Sequence, residues 1–177
     1  MTDTPTTDDS LEHRLLLRNL VLGDYPDIAY VQDRVYKSTG GAISEKKFRN
    51  QLIAFPEGQI CIEDDGKVVA AAFALIVDYD KFGNHHTYDE ITGNAYLSTH
   101  DPKGDVLYGV DIYVDPDYRQ LRLGRRLYEA RKEICRNLNL KAMVAGGRIP
   151  HYANYAKEMR PQEYIEKVKK SRYTIRP

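Results

Sequence analysis

Apolar residues recur along this chain at two spacings, and the spacings mark out strands and helices. Leu15 to Leu22 is dense in leucine and valine and ends at Gly23-Asp24, which predicts a first strand. Asp24 is placed to cap a helix from about Tyr25 to Tyr36, with Ile28, Val31 and Val35 on one face. Ser38-Thr39-Gly40-Gly41 breaks that helix. Ser44 opens a second one to about Phe55, with Phe48, Leu52 and Phe55 facing inward. Gln59 to Glu63 and Lys67 to Asp78 read as strands joined at Asp64-Asp65-Gly66, a hairpin signature.

Val106 to Val114 is a further strand. Leu123 to Leu138 carries Leu123, Leu127, Ala130, Ile134 and Leu138 at helical spacing, and Lys141 to Ala145 is a short strand ended by Gly146-Gly147. A last amphipathic helix starts at Pro161, a residue suited to a first turn, and carries Tyr164, Ile165 and Val168. The order β-α-α-β-β-β-α-β-α predicts an α/β fold, a mixed sheet with helices on both faces. Between Tyr79 and Gly104 lies a polar stretch too long for a simple connection, with one helical turn expected near Tyr88. Its length alone reads as a substrate lid.

Composition narrows the class. A chain of 177 residues, 42% hydrophobic and 29% charged, fits one soluble domain with a real core. Its 26 basic and 26 acidic residues cancel, which argues against a general nucleic-acid or anionic-membrane binder. No apolar run approaches the ~18–20 residues that cross a bilayer. Residues 1–12 are polar and acidic and read as a disordered leader, leaving 13–177 as the domain. Cys61 and Cys135 stand among apolar neighbours in no CxxC spacing, so free buried thiols and a cytoplasmic protein are expected.

Chemistry concentrates in the stretch from Leu107 to Asn139. A strand runs through a Pro-Asp turn and a basic loop into a helix whose start opens near Gly124. Such a start offers unpaired N–H groups and a positive dipole end, a ready anion site. Arg119, Arg122, Arg125 and Arg126 surround it, and a guanidinium fork can bond two phosphate oxygens at once. A solvated basic helix start accounts for the charges alone; the strand and the Pro-Asp-Tyr-Arg turn add the context of a binding site.

Asp111-Ile-Tyr-Val-Asp-Pro-Asp-Tyr-Arg-Gln-Leu-Arg-Leu-Gly-Arg-Arg-Leu resembles motif A of the GNAT N-acetyltransferases, a strand followed by Arg/Gln-x-x-Gly-x-Gly/Ala and a helix. Arg119 matches the first position and Gly124 the last. Arg122 replaces the middle glycine, which elsewhere permits positive φ and close backbone approach. Tyr88-Asp-Glu-Ile-Thr-Gly, Val144-Ala-Gly-Gly-Arg-Ile-Pro and Glu163-Tyr-Ile-Glu-Lys-Val are similar to the N-terminal acetyltransferase part of proteins that continue into a carbon–nitrogen hydrolase domain. The resemblance implies a mostly antiparallel GNAT-like sheet. Only Ser171 to Arg176 follow the last helix, so the two strands that normally close such sheets are not expected; a trimmed fragment and an incomplete sheet both fit.

What the resemblance implies in function is acetyl transfer from acetyl-CoA to a primary amine, by direct attack and without a metal. The implied coenzyme contacts are Ile112, Tyr113 and Val114 through their amides, then Arg119, Gln120, Leu121, Arg122, Leu123, Gly124, Arg125 and Asn154. Asp111 is the implied general base, with Asp78 and Glu90 as alternatives, and Tyr164 the implied proton donor, with Tyr155 as fallback. A packing tyrosine and a solvent-facing aspartate are the bland readings of the same residues. The implied acceptor is a small-molecule amine or a protein amine, with a homodimer left open and neither nucleic acid nor membrane as partner. His85, His86, His100 and His151 fit no metal-ligand spacing. Two rival functions stay in view. One is a CoA-binding regulatory module in which Arg122 marks a drifted site; the other is a nucleic-acid binder using the arginines.

Overall fold

The computed structural model describes residues 13–37 and 40–170. The expected leader, Ser38-Thr39 and the stretch after the last helix lie outside the described residues. Strands β1 (Leu15–Asn19), β2 (Ile60–Asp64), β3 (Lys67–Val77), β4 (Val106–Val114) and β5 (Ala142–Ala145) form one sheet in the order β1-β2-β3-β4-β5. The first four strands pair antiparallel, and β5 joins β4 in parallel. Helices α1 (Tyr25–Tyr36) and α2 (Glu45–Ala54) precede β2, and α3 (Tyr79–Phe82) and α4 (Tyr88–Thr92) follow β3. Helix α5 (Leu123–Asn137) links β4 to β5, and α6 (Pro161–Lys170) comes last.

Local chemistry explains the boundaries. The Ser44 side chain accepts from Lys47 N at the start of α2, a regular N-cap. The turn between β2 and β3 places Asp65 and Gly66 at φ of 48° and 85°, the left-handed pair that a tight hairpin requires. Asp24, expected to cap α1, makes no capping bond. Its carboxylate instead receives both Nη groups of Arg18, at 2.8 and 2.9 Å, and the Val21 amide. Burial pushes the Asp24 carboxyl up, but Arg18 and that amide hold it below the ordinary range.

Each face of the sheet has its own core. Ile28 and Val31 of α1 and Phe48 of α2 pack with Cys61, Ala71, Phe73 and Tyr113 on one face. Leu123 and Leu127 of α5 pack with Ile62, Val69, Ala70 and Ala72 on the other. Cys61 is fully buried, and burial pushes its thiol up to about 12; Cys135 is half-buried, and both are free. The stretch from Tyr79 to Gly104 is built rather than open. Ile91, Thr92, Ala95 and Leu97 are buried in it, Thr87 and Glu90 form a capping box, and Gln51 Nε2 donates to Ala95 O.

One irregularity shapes the site. The pairing of β3 with β4 runs Phe73 to Asp111 and then Ala74 to Gly109, so Val110 is an extra residue, a β-bulge. Regular alternation would put Tyr108 and Asp111 on opposite faces. The bulge resets it. Tyr108 and Val110 pack on the same side as Tyr113, and the Asp111 side chain reaches α1 there, whereas Leu107, Ile112 and Val114 pack toward α5.

The chain divides into two compact units, residues 1–145 and 146–177. The second holds α6, whose Tyr164 is buried against Tyr152 and Tyr155, with ring centroids 5.6 and 5.3 Å apart.

Candidate active site

The end of β4 leads directly into the basic loop. Asp115 N donates back to Val69 O, closing the strand, and residues Pro116–Leu121 make a short 3-10 turn. Arg122 then takes φ 55° and ψ 28°, and α5 begins. This is the left-handed conformation that a glycine adopts freely and that costs another residue about 1–2 kcal/mol. The arginine at the motif's middle position therefore keeps the glycine backbone, and the turn survives the substitution.

Arg122, at the N-cap of α5, gives no side-chain capping bond, and the first turn contains no acidic residue. Gly124 has no steric reason to be glycine, because an added Cβ would meet only Val114 Cγ2, at 3.9 Å. A glycine inside a helix costs about 1 kcal/mol against alanine. Here it leaves the surface above the first-turn amides bare, as an approaching anion needs.

The loop's own acids are neutralised from elsewhere. Arg34 of α1 lies 2.6 Å from the buried Asp115 carboxylate and 2.9 Å from Asp117. That guanidinium holds the Asp117 carboxyl below its ordinary range. Tyr118 OH donates to Asp64 Oδ2 at 3.0 Å, tying the loop to the hairpin as well. Arg119, Arg122, Arg125 and Arg126 are all exposed. An open depression of about 520 Å³ adjoins them, with Arg122, Arg125 and Arg126 in its lining beside Glu129 and Glu133. It flanks the helix start and does not include Asp111.

The other part of the candidate site lies on β4. Strand β5 pairs with Val106 through Gly109, leaving the edge from Val110 to Val114 without a strand partner on that side among the described residues. Since Asp115 N points to β3, period-two alternation turns Tyr113 and Asp111 toward β3 and the amides of Ile112 and Val114 toward the open edge. Tyr113 thus keeps its side chain in the core, 3% exposed, with burial pushing its hydroxyl well above the ordinary range. Asp111 Oδ1 accepts from Tyr36 OH at 2.5 Å and from Ile112 N at 2.9 Å. The carboxylate therefore stands at the open edge. Burial first, and then the negative charge of Asp111, push the Tyr88 hydroxyl up to about 12.

Other expected residues have different surroundings. Asp78 pairs with Lys81 at 3.3 Å, and Glu90 is taken by its own capping box. Tyr164 OH donates to Pro150 O at 3.0 Å, while Tyr155 and Asn154 are exposed in the same 146–177 unit. His86 packs on Tyr79, Phe82 and Tyr108, and His100 stacks on Phe55. Among the described residues no group of three His, Cys, Asp or Glu side chains is placed to hold a metal ion. Sequence reasoning missed Tyr36, Arg34 and Arg131. The first two carry no local signal. Arg131 had one, since it continues the apolar stripe Leu123, Leu127 at helical spacing.

A mixed sheet that opens beside its fourth strand, with that strand feeding an uncapped, arginine-ringed helix, is the architecture of the acyltransferase class. The chain belongs to the acetyltransferase (GNAT) family, whose sequence model matches residues 25–156. It is 38% identical over 161 residues to the probable hydrolase YhcX of Bacillus subtilis (strain 168), covering 89% of this chain and 30% of that protein. It is 36% identical over 129 residues to the uncharacterized N-acetyltransferase YkwB of the same organism, covering 73% of this chain and 57% of that one. The chain thus spans less than two thirds of either relative, and the matched segment is the smaller part of YhcX.

Among solved structures, the loading GNATL domain of CurA from Lyngbya majuscula superposes with a TM-score of 0.74 at 20% identity, over 86% of this chain and 73% of that one. The GphF GNAT-like decarboxylase, solved with isobutyryl-CoA, gives 0.69 at 20% identity, over 85% and 75%. At that identity they show the fold alone.

Proposed function

We propose that the domain is an N-acetyltransferase that moves an acetyl group from acetyl-CoA to a primary amine by direct attack on the thioester. The observation that carries this reading is the continuity of an open strand edge, bearing a carboxylate, with an uncapped helix start ringed by exposed arginines. The pieces fit the coenzyme. Amides of Leu123 and Gly124 offer donors for a diphosphate, with Arg119, Gln120, Leu121, Arg122 and Arg125 beside them, and the bare surface at Gly124 gives the approach.

The bound thioester supplies an electrophilic carbonyl and a thiolate leaving group. The Ile112 and Val114 amides, with Tyr113 holding the strand between them, are preorganised donors toward that carbonyl. Ile112 N–H now serves the Asp111 carboxylate, so binding exchanges one acceptor for another. Asp111 takes a proton from the amine through a water, which frees the nitrogen lone pair for attack. As the carbon–sulfur bond breaks, the acylated nitrogen gives up its second proton and the departing thiolate takes one up, both by exchange with solvent.

The drifted-module alternative rests on Arg122, and the left-handed backbone there removes its main support. Acetyl-CoA titration combined with a free-thiol release assay on a panel of amines separates the two. Binding with amine-dependent thiol release supports transfer; binding without release from any amine sinks it.

A further inference from the structure

Two locally unfavourable residues meet behind the bulge of β4. Arg131 occupies the buried stripe of α5, 1% exposed, where a leucine would continue the pattern. Gly109 sits in mid-strand, where glycine weakens pairing. A Cβ on Gly109 would lie 3.0 Å from Arg131 Nη1 and 3.1 Å from the Ala145 Cβ, so the strand makes room for the guanidinium. Arg131 Nη2 donates to Phe73 O at 2.5 Å and to Asp111 O, the residues paired where the register shifts.

The cation is costly in this place. No described carboxylate forms an ion pair with it, its Nε has no hydrogen-bond partner, and its nearest aromatic support is the Tyr128 ring at 5.9 Å. Burial lowers its pKa to about 10, which still leaves it charged at neutral pH. An apolar side chain of similar volume would suit stability better. Local rules broken in pairs at one point of a fold are the mark of a functional constraint.

The bonding pattern says what the constraint is. Asp111 O and Ile112 N belong to the same peptide group. A guanidinium on the carbonyl polarises that peptide and makes its N–H a stronger donor, the cooperative effect of linked hydrogen bonds. We propose that Arg131 is a positioning residue for acyl transfer: it pins the bulge at Val110 and, through the Asp111 carbonyl, strengthens the Ile112 amide that meets the thioester. The inference rests on the transfer reading for its catalytic consequence, but the polarised peptide is testable without turnover.

The test uses Arg131→Met and Arg131→Lys in the full chain, read by the Ile112 amide proton resonance, acetyl-CoA affinity and turnover. Loss of the guanidinium moves the Ile112 resonance upfield and lowers kcat by about tenfold, well short of the 10²–10³ for deleting an oxyanion donor outright. Acetyl-CoA affinity stays within about twofold, and Lys falls between Met and wild type. An Ile112 resonance unmoved in both variants overturns the inference, as does a kcat loss matched by an equal loss of affinity. If Arg131→Met does not fold, Arg131→Lys decides on the same readouts. Should the wild type release no thiol with any amine, the transfer reading fails, while the Ile112 resonance still judges Arg131.

Discussion

Tyr36 at the end of α1 donates its hydroxyl to Asp111 on β4 across 2.5 Å, 75 residues away in sequence. The bond fixes the carboxylate at the open edge of the sheet, where Asp111 Oδ1 also takes the Ile112 amide. The Val110 bulge makes the meeting possible by bringing Asp111 to the α1 face.

That contact predicts graded losses. Asp111→Asn removes the proton acceptor and lowers kcat by about 10² or more, the range for a general base. Tyr36→Phe deletes a hydrogen bond to a charged group, worth about 1.5 kcal/mol, and so costs about tenfold in kcat. Steady-state kinetics with acetyl-CoA affinity measured in parallel checks both, since neither change touches the anion cradle.

Gly124 separates binding from folding. Its Cβ position is open within the protein, so Gly124→Val leaves the melting temperature within a few degrees. Coenzyme affinity falls by at least about tenfold through the loss of one charge-assisted contact. Calorimetric titration beside a thermal melt reads both quantities, and undiminished affinity would move the phosphate site elsewhere.

Arg122 predicts the opposite pattern. Its φ of 55° is strained for a side chain, and Arg122→Gly relieves about 1 kcal/mol of that strain. Denaturant unfolding of the variant should show a raised midpoint, with coenzyme affinity lowered by no more than about tenfold, because the backbone of the turn is unchanged and one guanidinium contact is lost.

His100 gives the fold a pH dependence. Burial lowers its pKa, and its Nδ1 accepts from Ile76 N at 3.1 Å, so the folded state favours the neutral ring. The stabilisation is complete above the unfolded value of about 6.5 and is lost as pH falls through the lower folded value. Urea melts across that window should show a decline that His100→Asn flattens. An identical slope in the variant would assign the decline to other groups.

Much of the fold was legible in the sequence because its elements obey simple periods. Leu123 and Leu127 announce α5, and Asp65-Gly66 fixes the hairpin. The Thr87 to Glu90 capping box also stood in the sequence, and the packing of Ile91 and Leu97 shows why the polar stretch after Tyr79 is built. The arginine-ringed start of α5 was legible too, since it is local: strand, turn, arginines and glycine follow one another. The surroundings of Asp111 on β4 were not. A bulge is one residue of register between distant strands, and its effect on which residues share a face has no local signature. The Tyr36 to Asp111 bond, the Arg34 bridge to Asp115 and the Arg131 bond to Asp111 O all depend on it or on helix packing. Only the polar residue in the stripe of α5 hinted at them.

The position of the coenzyme is the most direct test. A crystal structure with acetyl-CoA should place diphosphate oxygens on the amides of Leu123 and Gly124 and the thioester carbonyl within hydrogen-bonding distance of Ile112 N. A diphosphate bound away from the start of α5, or an Arg122 side chain filling that cradle, would contradict it.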